Sequence, residues 1–132
     1  MTNLLLDTTF LVDAERAGDN LDDLIADEDD VAVAAITIAE LRVGVELATS
    51  ANRPGRELFV DTVIASIPII DYDLNVAEVH AKLLAEARRR GRPRGAHDLI
   101  IAATARATGR VVLTADAPAF SDLPDVVVRA HR

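Results

Sequence analysis

Apolar residues in this chain come in short runs that stop at acids, and these runs alternate with stretches of helical spacing. Asn3-Leu4-Leu5-Leu6 runs into Asp7, and Val111-Val112-Leu113-Thr114 leads through Ala115 to Asp116. Unbroken apolar runs of this length fit strands buried on both faces of a parallel sheet. Val31-Ala32-Val33-Ala34-Ala35 predicts another such strand, and Asp125-Val126-Val127-Val128-Arg129 a last one. Ile67-Pro68-Ile69-Ile70-Asp71 predicts a short edge strand, because proline is excluded from sheet centres. Phe10-Leu11-Val12 marks a short helix. Leu21, Leu24 and Ile25 mark a second, ended by the acid run of residues 27–30, which reads as a solvated turn. Thr37 is placed to cap a third helix, with Ile38, Leu41, Val45 and Ala48 as its apolar stripe. Asn52-Arg53-Pro54-Gly55 reads as a loop before a helix over residues 56–66. Asp73 and Asn75 form a capping cluster for a long helix over residues 74–90. Ile100, Ile101, Ala103, Thr104 and Ala107 recur at helical spacing, from a start at Asp98 to a stop at Gly109. The alternation predicts one α/β domain over residues 1–132, a sandwich around a mostly parallel sheet.

Composition narrows the chemistry. Half of the 132 residues are hydrophobic but four are aromatic, so the core must be aliphatic. There is no cysteine, which excludes disulfides, thiolate metal sites and cysteine nucleophiles. No run approaches the roughly 18 apolar residues of a membrane helix. Residues 1–6 are too short for a signal peptide, so a soluble cytoplasmic protein without membrane contact is expected. The net charge of −8 is uneven: the first 30 residues hold ten acids and one base, Arg16. Arg88, Arg89, Arg90, Arg92 and Arg94 form the one dense basic stretch. Helix-end stabilisation and phosphate binding would both select such residues, and both readings stand.

Four acids occupy unusual places. Asp7 and Asp116 follow strands, where ligands bind in open α/β sheets. Glu40 and Asp98 are expected in the first turns of helices. The bland reading of Asp7 and Asp98 is helix capping. The other reading is that all four meet on one sheet edge. Two like charges about 4 Å apart repel by ~4 kcal/mol at an effective dielectric of 20, so such a group needs a counter-ion. Oxygen ligands select Mg²⁺ or Mn²⁺, which leave positions for water and substrate phosphate. A water so activated attacks a phosphodiester without a side-chain nucleophile. Asp71 is a runner-up for the site. Thr114 is a strand threonine or a substrate-binding residue that hydrogen-bonds the attacking water or a phosphate oxygen. His97 and His80 read as loop and surface residues, and Asp13, Glu15 and Asp19 as solvated. Gly44, four residues after Glu40, leaves room beside the carboxylate or serves close helix packing.

At these residues the chain resembles the PIN-domain ribonucleases of the VapC toxin type. Leu6-Asp7-Thr8, Glu40-Leu41-Arg42-Val43-Gly44, His97-Asp98-Leu99-Ile100-Ile101-Ala102-Ala103-Thr104-Ala105, and Leu113-Thr114-Ala115-Asp116 with Phe120 carry the resemblance, in order and across nearly the whole chain. It implies a PIN-like α/β/α sandwich and a Mg²⁺ or Mn²⁺ site built from Asp7, Glu40, Asp98 and Asp116. It implies endonuclease cleavage of structured RNA (transfer or ribosomal), a homodimer, and a VapB-type antitoxin whose C-terminal segment lies across the site. The family often has a further acid just before the phenylalanine; Ala119 stands there, so one ion is expected. With few aromatic side chains, Arg92 and Arg94 are expected to grip the RNA backbone.

Other classes fail on the residues. A phosphoacceptor receiver needs a lysine at a late strand end, and the sole lysine, Lys82, lies inside a predicted helix. No Gly-x-x-x-x-Gly-Lys or Gly-x-Ser-x-Gly stretch occurs, which excludes a P-loop and a serine-hydrolase elbow. The competing reading is an acidic protein-interaction domain with a catalytically silent metal site.

Overall fold

The computed structural model describes residues 2–24 and 29–131, with Asp22 and Leu24 described by backbone alone. Five strands form one sheet: β1 (Asn3–Leu6), β2 (Asp30–Ala34), β3 (Ile69–Ile70), β4 (Val111–Thr114) and β5 (Val128–Ala130). Their order is β3-β2-β1-β4-β5, and every pairing is parallel. Helices α1 (Thr8–Ala17), α2 (Leu21–Leu24), α3 (Ala35–Glu46), α4 (Arg53–Ser66), α5 (Leu74–Arg89) and α6 (Ala96–Ala107) connect them, with a 3-10 turn at Ala117–Phe120.

The pleat sorts the apolar runs into two cores. Successive strand residues point to opposite faces. Leu4, Leu6, Val33 and Leu113 therefore pack with Phe10, Leu11, Leu41, Val45, Val60 and Val63 of α1, α3 and α4. Leu5, Ala32, Ala34 and Val112 pack with Val76, Leu83, Leu99, Ile101 and Ala103 of α5 and α6. The result is the expected α/β/α sandwich. The alanine-rich face of α6 lets that helix lie close to the sheet and α5, which supplies the bulk.

Several boundaries differ from the sequence reading, each for a physical reason. The first helix is ten residues long, because Asp7 caps it and Gly18, in the left-handed conformation at φ 70°, ends it. Thr37 is not a cap: α3 begins at Ala35 and Thr37 is fully buried within it. Arg53, Pro54 and Gly55 belong to α4, because proline in a first turn lacks only a donor that is unpaired there anyway. The last strand starts at Val128, since Asp125 takes a positive φ of 59° that breaks extended structure. Ile25, Asp27 and Glu28 lie outside the described residues. Asp73 caps α5 as expected, its Oδ1 accepting from the Val76 N–H at 2.9 Å. Asn75 turns elsewhere, to the Ala107 carbonyl.

Candidate active site

The chain leaves β1 toward β2 on one side, while β4 leads to β5 on the other. A crevice opens at such a switch point, beyond the strands' carboxyl ends. Asp7 stands in it, directly after β1, with 1 % of its surface exposed. The capping and site readings of Asp7 hold together: Oδ1 accepts from the Phe10 N–H at 2.8 Å while the same carboxylate faces the cavity. Thr114 Oγ1, fully buried at the end of β4, donates to Asp7 Oδ2 at 2.6 Å and accepts from the Asp116 N–H at 2.9 Å. Thr9 Oγ1 reaches Asp7 at 2.9 Å and accepts from the Ala115 N–H at 3.2 Å. Thr114 therefore ties β1 to the chain entering Asp116, and its hydroxyl is turned to protein.

Glu40 sits in the second turn of α3, not the first. Thr8 Oγ1 donates to Glu40 Oε1 at 2.7 Å and lies 3.2 Å from the buried Thr37 hydroxyl. The other Glu40 oxygen is 3.3 Å from His97 Nδ1. Asp98 is the third residue of α6, with Gly95 as the cap residue. Its carboxylate lies in the positive field of that helix N-terminus. A Cβ at Gly95 would stand 2.9 Å from Asp98 Oδ2, so the glycine leaves that carboxylate its position.

Asp7, Glu40 and Asp98 line one cavity of about 350 Å³, together with Thr8, Thr9 and Arg16. Asp116 adjoins it through Ala115 and acts on it by charge. Burial pushes the Asp7 carboxyl above its ordinary value; Thr114, the Phe10 N–H and Thr9 oppose the rise, and the charge of Asp116 adds to it. Asp98 is raised first by burial, then by the charges of Glu40, Asp7 and Asp116, against a smaller opposing effect of His97. The charges of Glu40, Asp7 and Asp116 thus all bear on Asp98. The donor set is all oxygen, which fits a hard divalent cation. Among the described residues no three such side chains converge as a ready-made cage for an ion.

Other expected residues lie elsewhere. Asp71 is exposed beyond the edge strand β3 and does not line the cavity. His80 pairs with the Tyr72 hydroxyl at 2.8 Å. Asp13, read as solvated, lines the cavity and lies 3.5 Å from His131 Nε2. Within the basic stretch, Arg89 and Arg90 bind Glu86, and Arg92 binds Asp122 at 3.3 Å. Arg94 donates to the carbonyls of Pro118, Ala119 and Ser121, so it clamps the turn after Asp116. The hydroxyl layer of Thr8, Thr9 and Thr37 escaped sequence reasoning, although two adjacent threonines directly after Asp7 were its signal.

The PIN domain family matches residues 4–125. The Ribonuclease VapC of Rickettsia bellii is 27 % identical over 126 residues, covering 95 % of this chain and 93 % of that protein. The tRNA(fMet)-specific endonuclease VapC of Salmonella typhimurium is 33 % identical over 95 residues, covering 71 % and 70 %. The crystal structure of DNA-bound VapBC from Salmonella typhimurium superposes with a TM-score of 0.86 at 25 % identity, covering 98 % of both chains. The chain belongs to the PIN domain family, and within it to the VapC ribonuclease toxins. Among the described residues no helix is long and apolar enough to cross a membrane.

Proposed function

We propose that this chain cleaves structured RNA, with transfer RNA as the substrate class, at a Mg²⁺ or Mn²⁺ site formed by Asp7, Glu40, Asp98 and Asp116. The observation that carries the reading is that Asp7, Glu40 and Asp98 line one cavity, with Asp116 adjoining it through Ala115. Magnesium is usually held by one or two carboxylates, with waters and substrate phosphate filling the rest, so a wide set of acids suits it better than a closed cage. A divalent cation held by these residues would supply Lewis-acid activation of water and charge neutralisation at the phosphodiester. The residues supply placement. Thr114, Thr9 and the Phe10 N–H keep Asp7 oriented, and their donors favour its ionised form. Thr8 donates to one oxygen of Glu40, and His97 Nδ1 lies 3.3 Å from the other. The α6 N-terminus favours the anion of Asp98.

The transfer-RNA assignment rests on the name of the Salmonella typhimurium relative. The VapBC complexes among the structural neighbours support a VapB-type antitoxin as partner. Leu47 and Leu58, apolar yet in solvent on the α3–α4 layer, support assembly with a second copy. The test is to incubate the purified chain with total cellular RNA and Mn²⁺ and to map the new 5′ ends. Discrete ends in transfer RNA are expected. Ends confined to ribosomal RNA would overturn the substrate class, and no new ends at all would favour the acidic interaction domain.

A further inference from the structure

The carboxylate cavity opens into a second one, of about 580 Å³, between α1, α3 and α4. The two share Val12, Arg16 and Glu40, so they form one continuous groove. An RNA strand approaching four acids on a chain of net charge −8 is repelled. The phosphates beside the scissile one therefore need cations close by. Arg92 and Arg94 do not meet that need, because neither lines either cavity. Among the described residues Arg16 is the one Lys or Arg lining the carboxylate cavity, and it makes no ion pair or hydrogen bond there. On the opposite wall of the second cavity, Arg56 anchors one guanidinium nitrogen on the Gly44 carbonyl at 3.1 Å. A guanidinium carries five donors, so Arg56 keeps others for the groove.

Gly44 explains itself in this setting. It lies inside a helix, where glycine is destabilising by ~1 kcal/mol relative to Ala, and a Cβ there would already touch Arg56 Nη1 at 4.0 Å. That is an ordinary contact distance, and a longer side chain would take up room beside the guanidinium. We propose that this groove is the track for the RNA backbone beside the cleavage site, and that Arg16 and Arg56 hold its phosphates. The proposal rests on the reading of the carboxylates as an RNA-cleaving centre.

A structural reading of Arg16 is a cation at the C-terminus of α1, in its last turn. Arg88 provides a matched control: it stands in the last turn of α5, makes no ion pair among the described residues, and lies outside both cavities. The experiment measures binding of a labelled, mixed-sequence single-stranded oligoribonucleotide as salt is raised, on an Asp98→Asn background that leaves the RNA intact. Each phosphate contact on a single strand contributes ~0.7 to the slope of log K against log salt. Arg16→Ala is expected to lower the slope by about 0.7, and Arg16→Ala with Arg56→Ala by about 1.4, while Arg88→Ala leaves it unchanged. Gly44→Leu is expected to weaken binding with the thermal midpoint retained. An Arg16→Ala slope equal to that of Arg88→Ala overturns the track. If the Asp98→Asn background chain binds no oligoribonucleotide and the unaltered chain cuts none, the nuclease reading falls, and this one with it.

Discussion

Thr114→Val isolates the hydroxyl that joins two of the four acids. Valine keeps the shape of the fully buried side chain and removes the donor to Asp7 Oδ2 at 2.6 Å. With Asp7 ionised, the bond lost is one to a charged group, about 1.5–3 kcal/mol; with Asp7 protonated it is a neutral bond of about 0.5–1.5 kcal/mol. The Asp116 N–H also loses its acceptor, but Asp116 is exposed and water replaces it. Burial already raises Asp7 above the ordinary 3.8, and Thr114 is the strongest influence opposing that rise. The variant carboxyl must therefore rise further. A raised carboxyl favours the folded state while protonated; that stability is complete below the unfolded pKa and is lost as pH climbs through the folded one. The variant loses more over this climb than the parent does. Urea denaturation in chelator, which removes any contribution from bound cations, is the assay. The deficit of the variant should be about 1 kcal/mol larger at neutral pH than below the ordinary carboxylate range. A deficit equal at both pH values would refute the claim that Thr114 supports the ionised form of Asp7.

Three further outcomes follow from the geometry. Gly95→Ala places a methyl 2.9 Å from Asp98 Oδ2, so the carboxylate must swing away; RNA cleavage should fall at least tenfold while the thermal midpoint holds. Asp98→Asn removes a charge that repels Glu40, Asp7 and Asp116, so in chelator its thermal midpoint should rise by about 2–4 °C, read by calorimetry, although cleavage is abolished. Arg94→Ala unfastens the turn after Asp116 and should lower stability by about 1–2 kcal/mol in urea denaturation. Arg94→Lys should not restore it, because an ammonium cannot span the same carbonyls as a planar fork.

The parallel sheet was legible because strands buried on both faces read as unbroken apolar runs; the runs leading to Asp7 and Asp116 reach the candidate site, whereas the one ending at Asp71 does not. Asp7 was read from its place after a strand, and Glu40 and Asp98 from expected first turns of helices; all three line the cavity. Local signals misled where a residue's partner is distant in sequence. Thr37 looked like a cap, but its hydroxyl lies 3.2 Å from that of Thr8, which the sequence places 29 residues away. Arg92 and Arg94 were read from the dense arginine stretch alone; their contacts with Asp122 and with the carbonyls around Pro118 come from 24 to 30 residues away and could not be seen there. Pro54 looked like a breaker, but a first-turn proline is compatible with a helix. The role of Arg16 was illegible for the same reason as that of Thr114: each is defined by what the fold brings to it.

The most direct test of the central claim takes one preparation and asks two questions of it: Mn²⁺ binding by calorimetric titration, and cleavage of total RNA with Mn²⁺ or with EDTA, each beside Asp98→Asn. Saturable Mn²⁺ binding and discrete RNA fragments are expected, with both the binding and the cleavage lost in Asp98→Asn and the cleavage lost in EDTA. Cleavage that persists in EDTA, or that survives Asp98→Asn, would contradict a cation site built on these four carboxylates.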